Sequence, residues 1–528
     1  MLKLSIFILV MLFLYFWVFC LFLENIYKRL LALKDISLGR IRRKTKMTKL
    51  LTKSKYLQGL QCSKLLWVSV NDKTRFPEVG LAQQQIFDTG TEAGELATTV
   101  FKDGIKVPEI SFMDNINKTK ELLKENKPLF EAGFMIDDLF SRADVLVPVG
   151  DEWDIVEVKS STKVKDVNVH DVSFQKFVYE KSGLKIRKCF LMFINKEYIR
   201  NGDIDVSELF VKEDITSQVE EFSEGLIERI DKMKKIINSD EPSIKIGPHC
   251  SDPYECALKE ECWKFLPKNN VFNLSRGGKK SWSLFESGII KIEDIPLDFK
   301  LSAKQEIQRK EEIFIDNKSI KNFILELQYP IYYFDFETIN PCVPMFDGMK
   351  PYQRLPFQYS LHIQKEVGDP LEHISFLAQP GDCRSDILKS MKENLGSVGT
   401  ILAWYQSFEI GVIKELIAFD ESYSDWGCSI IERFNDLIIP FSKFYYYNPV
   451  QQGSASLKKV LPALTNLSYS EMEIGNGGDA SSSFMKLFGS VSDEEANKIR
   501  TALEKYCELD TFAEVKILEE LMKIVKND

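Results

Sequence analysis

Asp144, Glu157 and Lys159 lie in a stretch that can bring two carboxylates and an ammonium to one point. Ser141–Val149 and Trp153–Lys159 read as two strands of a hairpin around the turn-like Gly150-Asp-Glu152. Side chains alternate along a strand, so Glu157 and Lys159 share a face, and Asp144 on the neighbouring strand can meet them across the pair. Carboxylate oxygens suit Mg²⁺ or Mn²⁺, while a lysine beside them can orient a water or steady charge developing on a phosphorus centre. The helical stretch Val169–Gly183 then places Gln175 and Tyr179 one turn apart, able to clasp the lysine or a phosphate. These residues are enclosed by cysteines: Cys62 upstream, then Cys250, Cys256 and Cys262 as C-x5-C-x5-C. Four thiolates so spaced close on one centre only if the chain folds back, and that centre would staple the two ends of a domain.

A second set of acids lies downstream. Pro330–Thr338 is a buried aromatic strand in which Asp335 and Glu337 project to one face, as a two-metal site needs. Ile401–Ile410 reads as a strand running into a helix that carries Glu409. Arg433-Phe-Asn-Asp-Leu437 adds Asp436 at the end of an apolar stretch, and the amphipathic helix from Glu504 sets Tyr506 and Asp510 one turn apart.

The order Asp144, then E-V-K, then Q-x-x-x-Y, framed by one upstream and three downstream cysteines, resembles the RecB-like branch of the PD-(D/E)XK nucleases. The closest likeness is to iron–sulfur members such as the CRISPR-associated adaptation exonucleases and AddB-type subunits. The resemblance implies a [4Fe–4S] cluster on Cys62, Cys250, Cys256 and Cys262, and catalysis by Asp144, Glu157 and Lys159. Two features depart from it. The cysteine spacing lacks the tighter C-x2-C of many relatives, and the family's upstream histidine is missing from Asp88–Leu96, with Glu95 as a substitute. The later series D-x-E, F-E, D-L and Y-x3-D resembles the tyrosine-bearing DEDD 3′–5′ exonucleases of the RNase H-like fold. By that resemblance Asp335, Glu337 and Asp510 bind two divalent ions and Tyr506 positions the attacking water. Glu409 stands where that family has aspartate, and Asp436 is the fallback ligand. Together with Asp335–Pro341, Leu355–Ser360 and Gly453–Lys458, the whole resembles a bacterial group of RecB-family nucleases that carry an RNase H-like C-terminal domain of unknown function.

The elements that must position these residues make an α/β, multidomain chain. A PD-(D/E)XK restriction-endonuclease-like domain at 47–268 precedes a helical connector at 269–325, whose stretch 269–280 suits a flexible exposed crossing and whose 282–310 reads as short helices, and an RNase H-like mixed-sheet domain at 326–528. The 528 residues, 44% apolar and 28% charged, suit several cores of ordinary globular composition. A net charge of −9 offers no global basic field, so DNA, or RNA as the alternative polymer, would need a local basic groove. Ten unevenly spaced cysteines suit a reducing cytoplasm rather than a disulfide scaffold.

Residues 1–46 read differently. Residues 4–23 are apolar apart from Ser5 and long enough for a hydrocarbon core of ~30 Å, and eleven Lys/Arg against two acids from Glu24 to Lys55 would keep the downstream domains in the cytoplasm. The expectations are a membrane tether through 4–23 or, equally, a true start at Met47. The favoured function is a metal-dependent nuclease, a DNA exonuclease. The alternatives are a catalytically degenerate nucleic-acid-binding protein with an iron–sulfur or zinc structural site, and a membrane-tethered zinc-stabilised scaffold.

Overall fold

A computed structural model describes residues 49–108 and 111–526, and shows a mixed α/β chain. It divides into a small unit, residues 1–51 with Asp137–Leu139, and a large unit holding the rest. In the small unit the described residues include the bond from Leu51 N to Asp138 O (2.8 Å). All candidate site residues belong to the large unit.

The first part of the large unit begins with helices α1 (Lys53–Gln61) and α2 (Leu81–Thr98). The main path of its sheet is β1 (Ile105–Lys106), β2 (Leu129–Ile136), β3 (Leu139–Val149), β4 (Glu152–Lys159), β5 (Ile186–Ile194) and β6 (Phe210–Asp214), in that spatial order. Helix α3 (Asp166–Lys181) crosses between β4 and β5, which are parallel as a helical crossover requires. The expected hairpin is present: β3 and β4 are antiparallel with Val145 opposite Val156, so the next step along brings Asp144 beside Glu157. Strand β4 is buried through Val158, and its acid Glu157 is fully covered.

The second part holds a five-stranded mixed sheet ordered β9-β8-β7-β10-β11, from β7 (Ile331–Ile339), β8 (Leu355–Gln364), β9 (Glu372–Leu377), β10 (Thr400–Ala403) and β11 (Phe434–Asp436). The chain from β7 to β9 runs antiparallel, and β10 is parallel to both β7 and β11. Helices α4 (Arg384–Asn394) and α5 (Gln406–Phe419) cover one face. Helices α6 (Leu457–Leu464), α7 (Gly477–Lys486) and the long α8 (Asp493–Lys526) cover the other. Strand alternation sorts β7 between them: Tyr332, Phe334 and Phe336 enter the α4–α5 core, whereas Ile331, Tyr333 and Ile339 enter the α8 core. Asp335 and Glu337 therefore face α8. At 34 residues α8 is about 51 Å long. Asp493, Glu494 and Glu495 in its first turn, with Lys523 and Lys526 in its last, oppose its macrodipole.

The start of the connector, 269–280, departs from the flexible exposed crossing expected of it. Val271, Leu274, Leu284, Ile292 and Ile295 form a small buried core, and buried Gln305 and Gln308 donate to the Ser275 and Asn273 carbonyls at 2.9 and 2.8 Å. The glycines and charges of 275–280 hid alternating apolar anchors on either side of them. The connector's α-helices are Lys279–Glu286, Ala303–Arg309 and Asn317–Leu325.

The membrane-spanning expectation is corrected: no helix among the described residues is long and apolar enough to cross a membrane. Residues 4–23, on which it rested, lie outside the described residues, as does Met47.

Helix α7 is keyed to the sheet by Phe484, whose ring stacks on Phe357 of β8 at 4.0 Å and 8°. Both are essentially inaccessible. Phe484→Ala should cost about 3–5 kcal/mol, read as a lower unfolding midpoint, with an equal loss for Phe357→Ala and less than additive loss in the double variant.

Candidate active sites

The first cluster forms around Glu157. Its Oε1 accepts from Lys159 Nζ at 2.5 Å and from Lys53 Nζ at 3.0 Å, and its Oε2 accepts from Gln175 Nε2 at 2.6 Å. Gln175 also donates to Asp171 at 3.1 Å, and its own oxygen accepts from Tyr179 at 3.0 Å. Asp144 Oδ2 is fixed by the Val158 N–H at 2.9 Å, and its other oxygen lies 3.5 Å from Lys53. Asp144, Glu157, Lys159, Gln175 and Tyr179 are thus brought together. Two members were missed in the sequence: Lys53 on α1 and Asp171 on α3, which holds Lys159 at 3.1 Å. The available signal for Asp171 was its spacing, four residues before Gln175 on one helical face. Burial alone would lower the pKa of both lysines, but the surrounding carboxylates outweigh it and hold both raised. Both lysines are therefore cations, and three carboxylates share two of them.

Glu95 does not join this cluster. It is exposed on α2 with Lys106 at 3.8 Å, because the helix turns that position outward.

The second cluster has the opposite electrostatics. One oxygen each of Asp335, Glu337 and Asp510 lie within 4.8 Å of one another. Glu409 is buried beside them with Oε2 lacking any hydrogen-bond partner. Glu514, one turn beyond Asp510 on α8, adds a fifth buried carboxyl that sequence reading overlooked, although it continues the Tyr506–Asp510 spacing. Burial, then the neighbouring acids, raises Asp335, Glu409 and Glu514 well above the carboxylate range. Burial and the charge of Asp510 push Glu337 up to about 8. Burial pushes Asp510 up to about 6, against hydrogen bonds from Tyr469 and Tyr506 and the charge of Lys458. Among the described residues none of the five forms an ion pair. Lys458 donates to the Gly475 carbonyl at 2.5 Å and Arg354 Nε to Glu415 at 2.9 Å.

Tyr469, also missed, donates to Asp510 Oδ1 at 2.5 Å, and its ring lies 6.2 Å from that of Tyr506. Lys458 sits over both rings, at 5.5 and 5.7 Å. The loop leading to Lys458 depends on Gly453. Its φ of +75° is left-handed, and an added Cβ would stand 2.0 Å from the Asn273 carbonyl oxygen. Asp436 is otherwise employed: Oδ1 accepts from the backbone N–H of Tyr405 (3.0 Å) and Ile438 (3.2 Å). It pins the turn from β10 into α5, which presents Glu409.

The four framing cysteines also gather. Gln61 beside Cys62 donates to the carbonyls of His249 (2.9 Å) and Tyr254 (2.7 Å), drawing α1 onto the downstream segment. Burial pushes Cys256 up to about 11, with further upward effect from Cys62, Cys250 and Cys262. No three of these sulfurs fall within 4.8 Å of one another. A tetrahedral zinc site with bonds of ~2.3 Å needs sulfurs about 3.8 Å apart.

The acid cluster predicts a pH dependence. Raised folded-state pKa values mean that the folded chain keeps protons which the unfolded chain has released. The cluster's contribution to the stability of the cation-free protein is therefore full below the ordinary carboxyl range and is lost as pH rises toward about 8. Each such group contributes a slope of about 1.4 kcal/mol per pH unit while its two states differ. In chelator, the unfolding temperature should fall between pH 5 and 8. Mg²⁺ or Mn²⁺ should reverse the fall, and Glu337→Gln should flatten it.

The model of a domain of unknown function, DUF2779, matches residues 332–456, which include Asp335, Glu337 and Glu409 but not Tyr506 or Asp510. An uncharacterized protein of Ureaplasma parvum is 26% identical over 215 residues, 37% of this chain and 31% of that protein. An uncharacterized protein of Mycoplasma genitalium is 24% identical over 250 residues, 43% of this chain and 37% of that protein. The chain thus spans about a third of the length of these curated relatives, and its β7–β11 segment is similar to a domain whose function is itself unassigned.

Proposed function

We propose that this chain is a metal-dependent nuclease acting on DNA, with Asp335, Glu337, Glu409 and Asp510 as its divalent-cation ligands. The carrying observation is the buried acid cluster without ion-pair partners. Burying several like charges is unfavourable unless a cation accompanies them, and an all-oxygen donor set suits Mg²⁺ or Mn²⁺. Such ions supply Lewis-acid activation of a phosphoryl oxygen and a hydroxide-like water. Glu409 has one oxygen to spare, so its extra methylene is accommodated by burial within reach of Glu337's charge. Tyr506 and Tyr469 bracket Asp510 and can orient a water there. Lys458 over their rings offers a positive charge to the phosphate.

The Glu157 cluster supports a second phosphodiester site, with Lys159 held by Glu157 and Asp171 as the cation nearest the scissile phosphate. One observation favours a binding-only role there: Lys53 already fills the space between Asp144 and Glu157 and would have to withdraw for a divalent ion. The gathered cysteines can hold a metal centre joining α1 to the segment at 250–262, which by the resemblance is a [4Fe–4S] cluster. A reducing cytoplasm would keep such thiols available.

End-labelled single- and double-stranded DNA incubated with Mg²⁺ or Mn²⁺ tests the reading. Cleavage should require the metal, and Asp335→Asn should slow 3′ trimming by ~10²-fold or more. Lys159→Ala should reduce only cleavage that Asp335→Asn leaves. Salt-sensitive DNA retention without any metal-dependent cleavage would replace the nuclease reading with the degenerate binding one. Colourless protein holding one zinc after anaerobic purification would exclude the cluster.

A further inference from the structure

Two of the chain's four histidines face each other across the β8–β9 pair, where His362 and His373 are register partners. Their rings stack with centroids 4.4 Å apart and an interplanar angle of 24°. One nitrogen of each, with one oxygen of Glu508 on α8, forms a set of ligand atoms within 4.8 Å of one another. His362 is buried, while His373 and Glu508 open onto a cavity of about 430 Å³.

Hydroxyls fix both rings. Thr511 Oγ1 lies 2.8 Å from His362 Nδ1, Ser360 Oγ lies 3.0 Å from His373 Nε2, and the two hydroxyls lie 2.7 Å from each other. His362 Nε2 and His373 Nδ1 carry no hydroxyl, the latter lying 3.8 Å from Glu508, and from their near-parallel stack one ring must turn for both lone pairs to meet one cation. Metal-bound imidazoles commonly have their second nitrogen held in this way, which sets the tautomer and the ring orientation. Ser360 and Thr511 are themselves buried, so the arrangement is built into the sheet–helix interface and is no chance meeting of surface side chains.

We propose that His362, His373 and Glu508 form a binding site for a zinc-class divalent cation, separate from the carboxylate cluster. Imidazole nitrogens select such ions over Mg²⁺, and two histidines plus one carboxylate leave a fourth tetrahedral position for water from the cavity. The donors are neutral or oxygen-based, so the site also differs from the four-cysteine centre. Because Glu508 lies between Tyr506 and Asp510 on α8, an ion here would tie the edge strand β9 to the helical turn that presents both.

Titration of the full chain with Zn²⁺ alone, read by equilibrium dialysis and by unfolding temperature, tests the proposal. Wild type should take up one equivalent more than His373→Ala or Glu508→Gln, and the corresponding thermal shift should disappear in each variant. Asp335→Asn and Cys256→Ser should keep this equivalent. Thr511→Val, which preserves shape but removes the hydroxyl, should weaken uptake by about 10- to 100-fold. With Co²⁺ in place of zinc, the extra equivalent should show a d–d band without thiolate charge transfer. His373 is partly exposed, so its replacement should leave the circular dichroism unchanged. Equal uptake by wild type, His373→Ala and Glu508→Gln would overturn the site, as would loss of the same equivalent in Cys256→Ser.

Discussion

The second half of this protein is organised around an electrostatic liability: carboxyls from β7, α5 and α8 are driven into one water-poor space with no ion pair among the described residues, Lys458 and Arg354 acting on them only from a distance. Each acid arrives from an element whose other side chains leave it no alternative. Asp335 and Glu337 alternate with aromatic residues that fill the α4–α5 core, so turning the strand over would drive the acids into that hydrocarbon and push the rings against α8. Asp510 and Glu514 sit on the stripe of α8 that also carries Leu503, Val515 and Leu518 into the opposite core. Apolar packing therefore compels the approach of like charges, and a cation is the natural means of relieving it.

The first cluster resolves the same problem internally. Glu157 is as deeply buried as any of those acids, yet three donors satisfy it and two are cationic. One protein thus contains two carboxylate centres with contrasting requirements. The Glu157 centre is complete as a hydrogen-bonded network, so an added divalent ion must compete with Lys53. The Asp335 centre has no internal competitor among the described residues, and protons are its alternative to metal.

Much of this was legible because it is local. The β3–β4 hairpin, the helix bearing Gln175 and Tyr179, the same-face placement of Asp335 and Glu337, and the strand-to-helix passage into Glu409 all derive from periods of two and 3.6. What escaped depends on long-range meeting. Lys53 lies 104 residues from Glu157, and nothing in a run of lysines marks the one that α1 aims inward. Tyr469 reaches Asp510 from a loop without periodicity. Asp436, the fallback ligand at the end of an apolar stretch, equally suits a cap for the turn at Tyr405, whose φ of +79° demands anchoring. Glu95 shows the same limit on a helix: nothing in Asp88–Leu96 says that its turn points outward, where it makes an exposed ion pair with Lys106.

The two centres are also joined mechanically, within the large unit. The segment after β7 leaves its own sheet and plugs Cys342 and Val343 into the core beneath the first one. Arg200 receives it there, donating to the carbonyls of Pro344 (3.0 Å) and Met345 (2.7 Å). Tyr352 then donates to the carbonyl of Ser160, the residue directly after Lys159. Helix α7, stacked on β8 through Phe484, brings Gly478 against Ala82 of α2 with only a Cβ's breadth to spare. The strand end that carries Lys159 and the strand end that carries Glu337 are therefore linked through short, buried segments rather than a flexible tether. Close-packed interiors transmit displacement instead of absorbing it, so any shift of Lys159 would be felt along 340–352 at the end of β7.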